Sequence, residues 1–279
     1  MTGPSSQAQP AVGGLFSGAP NFAEMYEQHL VGPIFRPWAE RLIERTRLTG
    51  NERVLDVACG TGIVARLVRN RLGASASVVA VDKSPLMLAT ARRIDGTIDW
   101  REGDALSLPV ADEEQFGAVF CHQGLQFFPD KLAGLREMRR VLSPGGRIAV
   151  GVWRSAEENT LFGTLDRAAE RFVGPIHDIR HSFPEADALR GLLFETGFQN
   201  VEVASLTMET RLEIDPAVLA RMNAMAVIGM SERGKELAEE ERTRVAAAIV
   251  EASLPEIARF TVDGTIRFQT SSNIATARA

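Results

Sequence analysis

Two glycines and two acidic residues in the first third of the chain have the types and spacing of a cofactor site. Gly60 and Gly62 flank a threonine, Asp56 lies four residues before the first glycine, and Asp82 follows further along. A glycine turn exposes its backbone N–H groups, because no Cβ blocks the approach of a ligand. A carboxylate can accept charge-assisted hydrogen bonds from the hydroxyls of a ribose. These residues predict a site for a nucleotide-type cofactor.

Two strands and a helix are expected to position these residues. Residues 53–59 are predicted to form a short buried strand, and Ile63–Leu72 a helix with one apolar face. A turn between a strand and a helix lies at the carboxyl end of the strand, where open α/β sheets bind ligands. Residues 77–82 are predicted to form a second buried strand, which ends at Asp82. Ser84 is expected to cap the next helix, and an Asp82 that serves only as a helix cap is the simpler alternative.

The glycine turn fits two classes of cofactor site. Residues 60–65 match the G-x-G-x-x-G/A fingerprint of dinucleotide-binding proteins, and Asp82 lies near the offset expected for a ribose ligand. Residues 56–62 equally match a D-x-x-x-G-x-G loop. The glycine pattern alone does not separate the two classes.

Two later segments favour the second class. Residues 103–109 are G-D-A-L-S-L-P, and residues 140–147 are R-V-L-S-P-G-G-R. Together with the D-x-x-x-G-x-G loop, they resemble class I S-adenosylmethionine-dependent methyltransferases of the ubiquinone/menaquinone-biosynthesis type. The resemblance is strongest over residues 54–150 and extends more loosely over residues 22–211. Ala58 stands where the family often has glycine, a departure that is expected to leave the turn intact.

The resemblance implies an α/β fold with a Rossmann-like seven-stranded sheet, mostly parallel with one antiparallel edge strand. The expected organisation is a flexible leader at residues 1–20, a helical lid at 21–50 and a methyltransferase domain at 51–279. A helical cap, about 213–262, is expected between the last two strands. Within the lid, the aromatic spacing predicts two amphipathic helices broken near Gly32-Pro33. Within the cap, a Met-rich apolar segment at 216–230 is expected to precede one amphipathic helix at 231–253.

The resemblance also implies a set of residues that bind S-adenosylmethionine. Asp82 is expected at the ribose, and Asp104 and Ala105 at the adenine. Tyr26, the single tyrosine, and Phe22 are candidates for a lid over the cofactor, with ordinary helix packing as the alternative. The full cofactor-binding set is expected to comprise Tyr26, Asp56, Ala58, Gly60, Thr61, Gly62, Asp82, Lys83, Met87, Asp104, Ala105, Cys121 and Gln123.

His122 follows the fourth predicted strand, in the segment where the family has its active site. A histidine there can act as a general base, because imidazole titrates near neutral pH. It can also act as a hydrogen-bonding group that orients another molecule, as the glutamine found in many relatives must do. Of the two, we favour the orienting role.

Composition and charge argue against several kinds of partner and site. A net charge of −5 argues against nucleic acid as the main partner, because phosphate binding needs a basic surface. Cys59 and Cys121 lie in apolar strand contexts, which indicates buried small side chains rather than a disulfide or metal ligands. The sequence has no apolar run of 18 residues and no cluster with metal-ligand spacing, so we expect a cytoplasmic protein without membrane insertion or a metal.

The expected function is methyl transfer from S-adenosylmethionine to a small acceptor, for which a lipophilic molecule is a candidate. An NAD-dependent oxidoreductase and a non-catalytic S-adenosylmethionine-binding protein are the alternatives. The methionines of the cap suit an adaptable apolar surface over the acceptor. Ordinary packing of the cap and a homodimer contact explain the same methionines.

Overall fold

A computed structural model describes residues 22–50 and 52–279, so the predicted leader lies outside the described residues. The strands are β1 (Val54–Val57), β2 (Val78–Asp82), β3 (Asp99–Glu102), β4 (Phe116–His122), β5 (Leu142–Trp153), β6 (Gln199–Leu212), β7 (Thr261–Val262) and β8 (Thr265–Arg278). The α-helices are α1 (Phe22–Tyr26), α2 (Arg36–Thr46), α3 (Ile63–Leu72), α4 (Pro85–Ile94), α5 (Lys131–Arg140), α6 (Thr160–Val173), α7 (Ala186–Glu195), α8 (Pro216–Met230), α9 (Glu232–Glu236) and α10 (Glu239–Ala258).

Seven strands form one continuous sheet in the order β3-β2-β1-β4-β5-β8-β6, and the two-residue β7 pairs with β8. The first five strands run parallel to their neighbours. Strand β8 is antiparallel to both β5 and β6 at one edge of the sheet. The predicted mostly parallel Rossmann-like sheet is confirmed. The strand order reverses between β1 and β4, and such a switch point opens a crevice at the carboxyl ends of the strands.

Both faces of the sheet are covered, which explains why β1 is buried along its whole length. Neighbouring residues of β1 point to opposite faces. Val54 belongs to a core shared with Trp38 and Leu42 of α2. Leu55 belongs to a second core shared with Leu135 of α5 and Leu189 of α7. The central strand is thereby held rigidly, with its carboxyl end pointing at the crevice.

The N-terminal segment is one continuous helical rod, so the predicted break near Gly32-Pro33 is wrong. A π-helix, Glu27–Phe35, joins α1 to α2 and contains Pro33. Its wide turn is visible where the N–H of Arg36 donates to the carbonyl of Val31, five residues earlier. Proline has no N–H and disrupts a regular α-helix. A π-helical turn takes up this irregularity without interrupting the helix.

Three helices, α8 to α10, lie between β6 and β8 in the chain, and α8 and α10 pack with α6 around a separate apolar cluster. The single helix predicted over 231–253 is wrong, because the chain is extended at Leu237 between α9 and α10. Leu237 is itself buried, so the break places an apolar side chain inward. Helix α10 then continues to Ala258 and includes Pro255.

None of the helices in the described ranges has the length and apolar character needed to cross a membrane.

Candidate functional site

A cavity of about 450 Å³ opens at the carboxyl ends of β1, β2 and β4. Its floor is the glycine turn after β1, and its walls come from the N-terminal helical rod and from α6 and α8. Ligand pockets typically enclose about 300–1,000 Å³. The volume of the cavity is therefore that of a small-molecule binding site.

The turn after β1 uses the left-handed backbone region three times. Ala58, Gly60 and Gly62 have φ values of 55°, 57° and 86°. Gly62 begins α3, and a Cβ there would come within 2.1 Å of the Trp100 ring. Ala58 adopts the same backbone region despite its Cβ, so the turn survives this departure from the family pattern at a cost of about 1 kcal/mol.

The acid of β1, Asp56, is buried beneath the turn. Its Oδ2 accepts a hydrogen bond of 3.0 Å from the N–H of Ala65 in α3. Its Oδ1 is buried and has no partner among the described residues, and Asp56 belongs to the lining of the cavity. Burial raises the pKa of the Asp56 carboxyl to about 8, opposed by the Ala65 hydrogen bond and assisted by the charge of Asp82. At neutral pH this carboxyl group holds a proton.

Asp82 is the last residue of β2, and its side chain holds the glycine turn in place by hydrogen bonds. Its Oδ2 accepts from the N–H of Gly60 at 2.7 Å, and its Oδ1 accepts from the N–H of Ser84 at 2.8 Å. Ser84 caps α4 by accepting from the N–H of Met87, as predicted. Burial raises the pKa of Asp82, although both backbone N–H groups favour the ionised form. The carboxylate lines the cavity and keeps further lone pairs for a ligand.

The segment after β3 forms the outer rim of the cavity. Asp104 pairs with Lys83 across 2.7 Å, and its other oxygen accepts from the N–H of Leu106. The hydrogen bond from Lys83 lowers the pKa of Asp104. Both side chains of this pair are about half exposed, and Ala105 lies beside them on the cavity wall.

His122 ends β4 and Gln123 follows it, and both residues line the cavity. Burial lowers the pKa of the His122 imidazole to about 3, so the ring is neutral at physiological pH. Its Nε2 is buried and has no partner among the described residues, and its ring meets Phe35 edge-on. Gln123 has a φ of 56° and donates its amide to Ser272 of β8 at 3.0 Å.

Aromatic residues of the N-terminal rod cover one side of the cavity. Phe22, Tyr26 and Phe35 line it, with ring centroids 6.2 Å and 4.9 Å from Tyr26 to its two neighbours. Glu27 holds this segment to α3 through a 2.7 Å ion pair with Arg66. Burial raises the pKa of the Tyr26 hydroxyl, so it stays protonated. The rod is thus a tethered aromatic wall over the glycine turn.

The opposite wall is formed by α6 and the cap. Its lining is mainly apolar but includes the amide of Asn223, which is 4% exposed and has neither amide atom bonded within the described chain. Beside it, Arg180 and His181 reach the cavity from a short 3₁₀ turn, Ile179–His181. The apolar members of this wall are Phe162, Leu219, Met222 and Ala226.

Most of the residues predicted for cofactor binding line this one cavity, and so does His122. Gly62 and Cys121 are absent from its lining. Gly62 instead shapes the turn against Trp100. Cys121 lies fully buried in the core beside α5, and Cys59 is also a free thiol, as predicted for both. Burial raises the pKa of each thiol.

Sequence reasoning missed Asn223, Arg180 and His181. The one available signal was the H-D-I-R-H segment at residues 177–181, in which an acid and a histidine stand three residues apart. Nothing in that spacing tells a surface turn from a cavity wall.

Comparison with known proteins agrees with this geometry. Residues 55–150 match a family model described as a methyltransferase domain. The chain is 31% identical over 200 residues to a demethylmenaquinone methyltransferase of Staphylococcus saprophyticus, covering 65% of this chain and 82% of that protein.

Two solved structures show the same fold. One is phosphoethanolamine N-methyltransferase 2 of Haemonchus contortus in complex with S-adenosyl-L-methionine, with a TM-score of 0.54 and 17% identity over 94% of this chain and 56% of that chain. The other is the cyclase SpnF, with a TM-score of 0.59 and 20% identity over 98% and 97%. The chain therefore belongs to the class I S-adenosylmethionine-dependent methyltransferases, of the ubiquinone/menaquinone-biosynthesis type.

Proposed function

We propose that the cavity holds S-adenosylmethionine on the glycine turn and a small, largely apolar acceptor against the cap, so that the methyl group passes between them. The observation that carries this proposal is the continuity of the cavity. One space runs from the polar groups of β1 and β2 to the apolar side chains of α6 and α8.

The residues around the turn suit a cofactor rich in hydroxyl and amino groups. Gly60 leaves open space where a Cβ would stand. Thr61 Oγ1 and Asp56 Oδ1 are buried polar atoms without partners among the described residues, and such atoms are costly unless a ligand or water satisfies them. Asp82 would hold the ribose hydroxyls, and Asp104 with Ala105 would hold the adenine.

When bound, S-adenosylmethionine supplies an electrophilic methyl group on a sulfonium. The task left to the protein is to align the acceptor atom and to exclude water, and alignment alone can lower a barrier by about 7–11 kcal/mol. Tyr26 and Phe22 close one side of the cavity with aromatic rings, which supports a role as a lid. His122 is neutral with a free Nε2, which supports an orienting role.

The wall against the cap indicates the chemistry of the acceptor. A mainly apolar lining with a few polar side chains, among them the unpartnered amide of Asn223, fits a molecule with an apolar body and few polar groups. The Staphylococcus relative carries a name that specifies a demethylmenaquinone as its substrate. We therefore propose a reduced aromatic ring compound of the quinol kind as the acceptor.

The division into a lid at 21–50, a methyltransferase domain at 51–279 and a cap at about 213–262 is part of this proposal. It is supported by the position of α8 to α10 between β6 and β8. The homodimer, the absence of nucleic acid as a partner and the cytoplasmic location stay predictions from the sequence.

Calorimetry and turnover test the proposal in two steps. We expect S-adenosylhomocysteine to bind with micromolar affinity and NADH to show no binding, because the turn leads into a cavity suited to the first. We then expect a radiolabelled methyl group to pass from S-adenosylmethionine to reduced 1,4-naphthoquinone, and not to a polar amine such as phosphoethanolamine. Binding of NADH in place of S-adenosylhomocysteine would contradict the cofactor site. Transfer to the amine alone would contradict the acceptor class.

A further inference from the structure

A buried network of four charged or titratable side chains lies beside the acceptor wall. Arg180 donates to Asp166 of α6 at 2.5 Å and to Asp178 at 2.8 Å. Asp178 Oδ2 lies 2.5 Å from Nδ1 of His181. The side chain of His181 is 5% exposed, and the residue lines the cavity. The network therefore ends in an imidazole at the site.

The hydrogen bond to Asp178 fixes which nitrogen of His181 is free. Burial disfavours the charge on Asp178, but Arg180 and His181 together hold its pKa below the usual range, so the group is an ionised acceptor. A neutral imidazole must then donate from Nδ1 and keep its lone pair on Nε2. Within the part of the chain that the structure describes, no group hydrogen-bonds this Nε2.

The position of His181 connects it to the reacting region. Its 3₁₀ turn packs against a second 3₁₀ turn, Leu125–Phe127, which directly follows β4. Pro184, just beyond His181, accepts a hydrogen bond of 2.7 Å from Asn273 of β8. The turn is therefore anchored to the same sheet that carries the cofactor site.

The two histidines at the cavity differ in their surroundings. The Asp178 carboxylate lies against the ring of His181, and Arg180 holds that carboxylate in place. Among the described residues no carboxylate contacts the ring of His122, and burial alone lowers its pKa.

We propose that His181, held by Asp178, is the general base that removes a proton from the acceptor, which must therefore carry a weakly acidic O–H group. This inference rests on the proposed function, because it needs an acceptor bound against α6 and α8. The acceptor O–H bond breaks, and its proton goes to Nε2 of His181. The electron pair left on oxygen conjugates into the ring, so that a neighbouring ring carbon forms the bond to the methyl carbon, and the electron pair of the broken carbon–sulfur bond stays on sulfur. That ring carbon then loses its proton to water, and His181 returns its proton to the oxygen, which restores the aromatic diol. The products are the ring-methylated diol and S-adenosylhomocysteine.

His181→Gln tests the base, since a glutamine amide still donates to Asp178 but cannot take up a proton. With reduced 1,4-naphthoquinone as the acceptor, we expect the rate constant of transfer to fall by about 10²- to 10⁴-fold. The affinity for S-adenosylhomocysteine should stay within about twofold of the wild-type value. The acidic limb of the wild-type pH profile should be absent from the variant, and its rate should recover as rising pH ionises the diol. His177→Gln, an exposed neighbour outside the cavity, is the matched control and should behave as wild type.

Two results would overturn the proposal. One is a His181→Gln variant with the wild-type rate and pH profile. The other is an equal loss of rate and of S-adenosylhomocysteine affinity, which would indicate a structural role.

A second measurement decides the proposal without turnover. In protein labelled with ¹⁵N-histidine and assigned with the same variants, neutral His181 should show a protonated Nδ1 and an unprotonated Nε2. An imidazolium throughout pH 7–8, or a proton on Nε2, would overturn the proposal. If wild-type protein methylates none of the acceptors, the proposed function fails, and this spectrum still decides the role of His181.

Discussion

At the residue scale, the carboxylate of Asp82 serves both the turn and the cavity. Two of its lone pairs accept the N–H groups of Gly60 and Ser84, and the others are open to a ligand. We expect Asp82→Ala to weaken the binding of S-adenosylhomocysteine by about 2 kcal/mol, because charge-assisted hydrogen bonds are lost. This corresponds to about a 30-fold rise in the dissociation constant, measurable by calorimetry.

Asp99→Ala is the control for that variant, since Asp99 is an exposed carboxylate on the neighbouring strand and lies outside the cavity lining. A urea titration of both variants separates the loss of the two backbone hydrogen bonds from the loss of ligand contacts. Unchanged affinity in a folded Asp82→Ala protein would leave Asp82 as a helix and turn cap only.

Of the two histidines that line the cavity, His181 is hydrogen-bonded to a carboxylate, whereas Nε2 of His122 has no partner among the described residues. This difference gives a second prediction. His122→Gln should keep most of its activity, because an amide can make the same single hydrogen bond as a neutral imidazole. With a pKa of about 3, His122 adds no acidic limb to a rate profile between pH 5 and 9. The measurement is the rate of transfer against pH, beside that of His181→Gln. A 10²-fold loss in His122→Gln with intact cofactor affinity would reverse the roles of the two residues.

The sequence could predict His122 and could not predict His181. His122 ends a recognisable strand next to the glycine turn, so topology alone brings it to the crevice. His181 stands in a polar segment with no periodicity, and it reaches the cavity only because Arg180 is buried between acids of two elements. That burial depends on tertiary packing, and no pattern in the local sequence predicts it.

At the scale of elements, residues 22–30 of the N-terminal rod are held to α3 and α4 by two ion pairs as well as by their apolar face. Glu27 pairs with Arg66, and Glu24 makes an exposed pair with Arg93. We expect deletion of residues 1–30 to weaken S-adenosylhomocysteine binding at least tenfold and to abolish turnover, because Phe22 and Tyr26 leave the cavity wall. The sheet should survive, since the buried part of α2 remains, with Trp38 and Leu42 in the core. Calorimetry measures the binding of S-adenosylhomocysteine, and circular dichroism shows whether the sheet stays folded.

Deletion of residues 1–20 is the matched control for this truncation, because it removes sequence but leaves every lining residue of the rod. We expect it to bind S-adenosylhomocysteine and turn over like the full chain. Normal activity after removal of residues 1–30 would show that Phe22 and Tyr26 are ordinary packing residues.

Two element boundaries differ from the sequence prediction for a shared reason. A proline in the rod predicts a break, yet a π-helical segment continues the helix through it. An unbroken charged segment in the cap predicts one helix, yet burial of Leu237 separates α9 from α10. In both places tertiary packing outweighs local propensity.

At the scale of the whole molecule, the order of strands follows from simple rules and was predictable. Alternating strands and helices give a parallel sheet with right-handed crossovers, and the strand order then reverses beside β1. This reversal places the ends of β1 and β4 at one crevice, whatever the sequence of the cap. The cap has no comparable rule, and so the acceptor wall could not be derived in the same way.

The buried carboxyl of Asp56 makes the stability of the whole chain depend on pH, which gives the last prediction. Its pKa of about 8 lies above the value of about 3.9 expected in the unfolded chain. Between these values the folded state binds one proton more than the unfolded state, so the free energy of unfolding falls as pH rises from about 4 to about 8 and levels off above 8. One proton contributes at most about 1.4 kcal/mol per pH unit.

We expect Asp56→Asn, which mimics the protonated acid and can still accept from Ala65, to make urea unfolding less dependent on pH between 6 and 8.5. Glu113→Gln, a change at an exposed acid, should keep the wild-type slope. If Asp56→Asn and wild type lose stability in parallel over this range, Asp56 is ionised in the folded protein, and its unpartnered Oδ1 is satisfied by something other than its own proton.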